Sequence, residues 1–360
     1  MPTTLRDVAR TAGVSVATAS RALHGSGGRA VSEEKRVLVQ QAADQLHYRI
    51  GSVAKRPAVD PGREARRTYA IGLVLGNVSY KFSDPFWSPV LDGVDGELIR
   101  QRYRLLFTHT VDDLKHARQR RLLSRSHIDG LILVGGLRPF GHAIGLDRMV
   151  LIEGGDDRLR WEDPLRIDVI SMEKTRAMFR LIDHLISLGH RRIGFLGPPA
   201  SLDERAFAFP QALARHGLTV DPTHIAEAPW SAEGAYAVAL PFLRKRGPAI
   251  DALVCGCDTM AIGAMRAARE CAIRLPEDLA ITGFDDIAFA RDLEPPLTTV
   301  SVPKGLMGQL AARRLLERIT QPDLPPIIQT VPTSLVIRGS CGASRAGALH
   351  EYEREEQWPR

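Results

Sequence analysis

The chain has 360 residues, 44% hydrophobic and 25% charged, with a formal net charge of +6. That length carries a small domain plus a body of two lobes, and the apolar share supports a real core. No apolar run reaches the ~18 residues of a membrane span, and the N-terminus has no apolar signal region. A cytoplasmic protein without a membrane segment is expected. Charge is unevenly placed. Residues 1–67 hold 12 Lys+Arg against 6 Asp+Glu, and the rest of the chain holds 36 of each. A basic segment on a neutral body is the electrostatic pattern of DNA binding, although a merely soluble basic arm would share it. The four cysteines stand at 255, 257, 271 and 341 with no CxxC pair. Neither a disulfide framework nor a zinc site is indicated, and no metal or cofactor is expected.

Taken in order, residues 3–49 read as three short helices. Thr4 is an N-cap, with Asp7 three residues on in a capping-box-like pair. Leu5, Val8, Ala9 and Ala12 recur at helical spacing as a narrow apolar face. Gly13 sits where the helix must stop and turn, a place for a residue tolerant of positive φ. Ser15 caps a second helix over 16–23. Ser32 caps a third, with Glu33 and Glu34 in the first turn where the helix dipole favours acids. Val37, Leu38, Ala42 and Leu46 are expected to close the small core. The pattern is a helix-turn-helix, whose second helix would enter the DNA major groove. Val16 and Ala17 at its tip suit thymine methyls or close approach. Thr18 and Ser20 are short donors for phosphates, and Arg21 holds a phosphate or reads a guanine. A three-helix module with a protein-binding face is the alternative.

Residues 48–67, rich in Gly, Pro and basic groups, form a linker. From Tyr69 apolar runs alternate with helical stretches. Buried strands are expected at 69–75, 104–108, 130–134, 149–152, 192–196, 252–255, 279–284 and 298–302. Helices such as 90–102, 174–188 and 260–272 lie between them. Strands alternating with helices predict parallel sheets covered on both faces. Two such units place a ligand cleft between them, at the carboxyl ends of the strands. In 185–197 a helix ends at Gly189 and a strand follows, and His190 there reads as structural. The tail, 339–360, is polar and expected to be mobile. It lacks leucine heptads, so a homodimer rather than a coiled-coil tetramer is expected, matching a palindromic operator.

The segments TLRDVARTAGVSVATASRAL and VSEEKRVLVQQAADQLHYR resemble the headpiece of the LacI/GalR (lactose repressor) family of bacterial transcription regulators. The resemblance is dense over 4–49 and continues more thinly to about Ile337. It implies that Ser15, Val16, Ala17, Thr18, Ser20 and Arg21 are recognition-helix contacts, with His24, Ser32 and Lys35 on the DNA backbone. Thr4 joins these DNA-binding candidates. The family's hinge helix normally runs Tyr-x-Pro-Asn-x-x-Ala-x-x-Leu, with the Leu wedged into the minor groove. This chain keeps Tyr48 and Ala54 but has Ile50, Gly51 and Pro57 at the other places, and Pro57 ends a helix early.

The expected fold is therefore an N-terminal all-α helix-turn-helix headpiece plus an α/β two-lobed, periplasmic-binding-protein-like body of two doubly wound parallel sheets. The headpiece is placed at 1–47 and the hinge at 48–67. The first lobe is placed at 68–168 and 298–326, the second at 169–297 and 327–338. The chain would cross between lobes near Asp168, Pro296 and Ile327.

A carbohydrate site needs an aromatic face and groups that bond hydroxyls. The run FSDPFW (82–87) resembles a DPF motif of members with sugar effectors, which makes Asp84 and Phe86 candidates. Arg205 opens an Arg-x-x-Ala-Phe run like the family's Arg-x-x-Gly-Phe/Trp, whose Arg holds ligand hydroxyls or carboxylates. Trp230 matches a stacking position, and Asp258 and Asp285 match two cleft acids, although Asp258 could simply cap the helix at Met260. Three departures replace polar residues with apolar ones: Val134, Cys257 and Val302. Glu153 and Arg138 are possible compensations. The expected function is a DNA-binding regulator, a repressor, whose operator affinity is set by a small effector between the lobes, a sugar or sugar derivative. Alternatives are control by a protein co-regulator or a cleft without function, a sugar-binding module without DNA function, and more remotely a carbohydrate-acting enzyme. Its adjacent acids, such as Asp285-Asp286, point to opposite faces of a strand and make poor acid/base partners, so no enzyme is expected.

Overall fold

The computed structural model describes residues 5–24, 31–46, 67–76, 83–123, 127–135, 148–153, 167–246 and 249–343. It divides into two units, Met1–Arg66 and Arg67–Arg360. The hinge residues Tyr48, Ile50, Gly51, Ala54 and Pro57, together with Thr4, Arg138 and the tail from 344, lie outside the described residues.

The first unit holds α1 (Leu5–Thr11), α2 (Val16–His24) and α3 (Glu33–Gln45). Gly13 between the first two adopts φ +63°, as a sharp turn requires. Val8, Ala9, Ala19, Val39, Ala42 and Ala43 form the buried core, with Leu5, Ala12, Val14, Leu23 and Leu46 packed around it. The expected α3 face is half corrected. Ala42 and Leu46 join the core, but Val37 and Leu38 are 47% and 46% exposed, and Val39 takes their place. Val39, Ala42, Ala43 and Leu46 follow the 0, 3, 4, 7 spacing of one helix stripe, and Val37 and Leu38 fall outside it.

The body's first sheet contains β1 (Ala70–Leu75), β2 (Arg104–Thr110), β3 (Gly130–Val134), β4 (Met149–Ile152), β5 (Asp168–Met172) and β11 (Ile328–Val331). Their order is β11-β5-β4-β3-β1-β2, and every pairing is parallel. Strands β1, β3 and β4 are buried throughout because both faces are covered. Ile71, Leu73, Leu75, Ile132 and Val134 face one core with α4 (Trp87–Arg100) and α10 (Lys304–Thr320). Ala70, Val74, Leu131 and Leu133 face another, closed by Phe107, Leu114 and Leu123 on either side of α5 (Ala117–Arg121). Helices α4 and α10 meet backbone to backbone. A Cβ on Gly308 would lie 2.0 Å from the Val90 carbonyl oxygen, so only glycine fits there.

The second sheet runs β7-β6-β8-β9, also parallel, from β6 (Ile193–Gly197), β7 (Ile225–Glu227), β8 (Ala252–Cys255) and β9 (Ala280–Thr282). One face packs on α6 (Thr175–Ser187) and α7 (Glu204–Ala214), the other on α8 (Ala232–Arg246) and α9 (Asp258–Glu270). A two-stranded antiparallel ribbon, β10 (Thr299–Ser301) with β12 (Ser334–Val336), extends this lobe through a parallel bridge from Thr298 to Thr282.

The expected crossings near Asp168, Pro296 and Ile327 all come later. Strands β5 and β11 pair in the first sheet, so the chain leaves that lobe after Met172 and after Val331. Strand β10 still belongs to the second lobe, so the chain returns at Val302–Pro303, ahead of α10. The buried carboxylate of Asp168 explains the first shift. It accepts from Arg314 Nε at 2.8 Å, from Arg318 Nε, and from the Ile327 amide at 2.9 Å. Those bonds tie the start of β5 to α10 and to the approach of β11 within one lobe.

Candidate functional site

In the headpiece, the Ser15 hydroxyl accepts from the Thr18 amide at 3.1 Å and lies 2.8 Å from the Thr18 hydroxyl. That bond fixes the start of α2, as capping predicts. Val16 is 42% exposed, and Ser15 and Ala17 are exposed beside it. Thr18 and Ser20 are half-buried, and Ala19 is the anchor in the core. The turn therefore presents a small, apolar tip of the kind that enters a groove. Ser32 and Lys35 at the start of α3 are also exposed. Arg21 and His24 lie on α2.

In the body, four candidate side chains follow the carboxyl ends of second-lobe strands: Arg205 after β6, Trp230 after β7, Asp258 after β8 and Asp285 after β9. Arg205 is the centre. Its Cζ lies 4.6 Å from the Trp230 ring centroid and 4.9 Å from that of Phe284. Its Nη1 lies 3.8 Å from an Asp285 carboxylate oxygen. Asp203, which sequence reasoning missed, receives Nε and Nη2 at 2.8 and 2.9 Å. Burial works against the Arg205 charge, but Asp203 and Asp285 outweigh it and raise its pKa. Trp230 keeps 44% exposure and so offers surface for stacking above the buried cation.

Asp258 lies one layer below. It is fully buried, and both its oxygens are used: Oδ1 by the Thr299 hydroxyl at 2.5 Å, Oδ2 by the Ile287 amide at 2.8 Å. It holds the loop that carries Asp285 in place. Burial pushes its pKa up to about 7, against the pull of those two bonds. Burial likewise raises that of Asp285 well above the carboxylate range, with the Arg205 charge opposing. Asp285 and Asp286 adopt φ of 119° and 53°, a strained pair for residues with a Cβ. Lys304, the first residue of α10, donates Nζ to the Asp285 carbonyl, to that of Asp286 at 3.0 Å and to that of Val302 at 3.3 Å. The same lysine thus fastens the strained loop to the point where the chain crosses between lobes. Arg180 does the equivalent at the other two crossings, donating to Glu173 at 2.8 Å and to the Thr333 carbonyl at 2.6 Å.

From the first lobe, Asp84 is near enough for its charge to raise the pKa of Asp285. Its Oδ1 accepts the Phe86 and Trp87 amides, both at 2.9 Å, so it also caps α4. Phe86 is mostly buried. It is 9% exposed, packs edge-on to Trp87 at 4.7 Å and joins the large buried cluster. Val134 and Val302 are also core members. Cys257 stays beside the site, where burial and the Asp285 charge raise its thiol pKa. Glu153 is buried at the end of β4. His190, read as structural, has Nε2 3.1 Å from the Cys341 carbonyl, a contact it makes by donating. Among the described residues no helix is long and apolar enough to cross a membrane, and no His, Cys, Asp and Glu cluster could hold a metal.

Together these features define two parts, a helix-turn-helix headpiece and a two-lobed α/β body. Residues 4–49 match the bacterial regulatory proteins of the lacI family, and residues 182–341 match the periplasmic binding protein-like domain. The ribose operon repressor of Haemophilus influenzae is 32% identical over 324 residues, covering 89% of this chain and 93% of its own. The regulator CelR of Thermobifida fusca is 30% identical over 343 residues, covering 94% and 98%. Among solved structures, a CelR–cellobiose complex matches with a TM-score of 0.70 at 28% identity, covering 94% of this chain and 99% of that one. The lac repressor dimer bound to operator matches with a TM-score of 0.64 at 25% identity, covering 95% and 100%. The chain belongs to the LacI family of DNA-binding transcription regulators.

Proposed function

We propose that the chain acts as a homodimer in the cytoplasm, binds a pseudo-palindromic operator through α2 and represses transcription from it. Its operator affinity answers to a small carbohydrate held by Arg205, Trp230, Asp285 and Asp84. The observation that carries the DNA half is the Ser15-capped α2, with Val16 and Ala17 exposed on a basic segment. The carbohydrate half is supported by the half-exposed Trp230 above the buried Arg205, and by relatives named for ribose and cellobiose. Arg21, His24, Ser32 and Lys35 supply base or phosphate contacts around the tip. The effector acts by binding the two lobe arrangements with different affinity. Turnover is not part of this reading. Asp203 and Asp258 are each committed to bonds within the protein, which leaves them poor acid/base catalysts.

The test is selection of operator sequences from random duplexes at physiological salt. Enrichment of an inverted repeat is the expected result, because each half of a two-fold dimer reads one half-site. No enrichment over bulk duplex would remove the reading.

A further inference from the structure

Arg205 stands at the first turn of α7, and the amides of a helix start beside a guanidinium make a natural anion receptor. In this chain the receptor is filled from within. Asp203 Oδ1 accepts from the Arg205 amide at 2.9 Å and from its Nε at 2.8 Å, and Oδ2 accepts from Nη2 at 2.9 Å. Both residues are buried, 2% and 1% exposed, so solvent screens this pair weakly. The Asp203 carboxylate thus takes the bidentate position that a ligand's carboxylate or phosphate would occupy. The remaining edge of the guanidinium, Nη1, faces another carboxylate, Asp285, at 3.8 Å. The other cations around that loop are also engaged. Lys304 is held by three carbonyls, and Arg338 is paired with Asp286 at 2.7 Å.

We propose that Asp203 sets effector specificity: it turns Arg205 from an anion receptor into a neutralised hydrogen-bond donor, so that the cleft accepts uncharged, hydroxyl-rich ligands and rejects sugar acids and sugar phosphates. The inference rests on the cleft's being the effector site. It separates two chemistries that an arginine alone leaves open, since a guanidinium serves hydroxyls and oxyanions alike. A polyol bonds to the Nη1 edge and to the acceptors Asp285 and Asp84. An oxyanion meets a guanidinium already committed to Asp203.

The test titrates inorganic phosphate, then glucose against glucuronate and ribose against ribose 5-phosphate, into wild type and Asp203→Asn at constant ionic strength. Asparagine keeps an oxygen to cap α7 and removes the charge. Wild type is expected to show no saturable phosphate binding. Asp203→Asn is expected to gain it, by about tenfold or more in affinity, the effect of one freed charge-assisted pair. Equal phosphate binding by the two proteins overturns the proposal. Should the variant fail to fold, the wild-type pairs decide: an anionic member that binds more tightly than its neutral partner overturns it. A phosphate gain in the variant with no neutral sugar binding to wild type leaves the charge filter standing and removes the carbohydrate reading.

Discussion

Asp168→Ala is expected to destabilise the body by about 3–5 kcal/mol, because it strands two buried guanidinium groups. Asp168 is fully buried, and the Arg314 and Arg318 side chains that meet it are 9% and 7% exposed. Removing the carboxylate leaves both cations in a poorly solvated interior and drops the bond to the Ile327 amide. Chemical unfolding at pH 7 measures the loss. A companion variant with Asp168, Arg314 and Arg318 all replaced by apolar residues of similar size is expected to recover most of it, since the cost lies in unpaired charge. A loss under about 1 kcal/mol for Asp168→Ala would show that water reaches these arginines. The same cluster sets a pH dependence. Burial alone would raise the Asp168 pKa, but the Arg318, Arg314 and Ile327 bonds outweigh it and hold it below the ordinary value. A depressed folded pKa means the cluster's contribution is fully present above the unfolded carboxylate pKa, about 3.9. It is lost as pH falls below that value and through the folded pKa. Acid unfolding of wild type is thus expected to steepen below about pH 4, and the triple apolar variant to lack that component.

Val16→Glu is expected to weaken operator binding by about 10–100-fold, the range of one specific base contact, with the fold intact. Val16 is 42% exposed, so little core packing is lost, and a carboxylate at a helix N-terminus is favoured by the helix dipole. Facing the groove, the same charge meets phosphates and the acceptor edges of bases. Fluorescence anisotropy on the selected operator, alongside thermal unfolding, separates the two effects. Unchanged DNA affinity with unchanged stability would mean that the tip of α2 does not face DNA.

What could be read in the sequence follows how strongly local chemistry dictates structure. Strands β1, β3, β4 and β8 are continuous apolar runs, legible because a strand buried on both faces needs no polar residue. Strand β5 is buried but for Val169, yet it carries Asp168 and Ser171, and the arginines that satisfy Asp168 lie some 150 residues downstream. No local pattern shows that partnership, so the lobe crossings were expected too early. Helices α7 and α8 carry Pro210 and Pro241 inside them, residues that a helix interior disfavours. In α3, Val37 and Leu38 offered an apolar pair that the packing does not use. The cleft shows the same division. Arg205, Trp230 and Asp285 were named by their match to the family's motifs, at places after strands, and the structure gathers them. Asp203 carried a legible signal, an aspartate immediately before a charged helix start, but its bidentate bond to Arg205 needed coordinates. Asp258 had the right chemistry for ligand, and both its oxygens are engaged inside the protein.

The most direct measurement is operator affinity in the presence of neutral mono- and disaccharides, ribose and cellobiose first, for wild type and Arg205→Ala side by side. Allosteric coupling of ordinary strength gives a change of about 5–150-fold. The prediction is that one such sugar shifts wild-type operator affinity within that range, and that Arg205→Ala, compared with its own ligand-free operator affinity, no longer responds. An effector response that survives unchanged in Arg205→Ala would contradict the placement of the ligand at this arginine, and with it the link between cleft and headpiece.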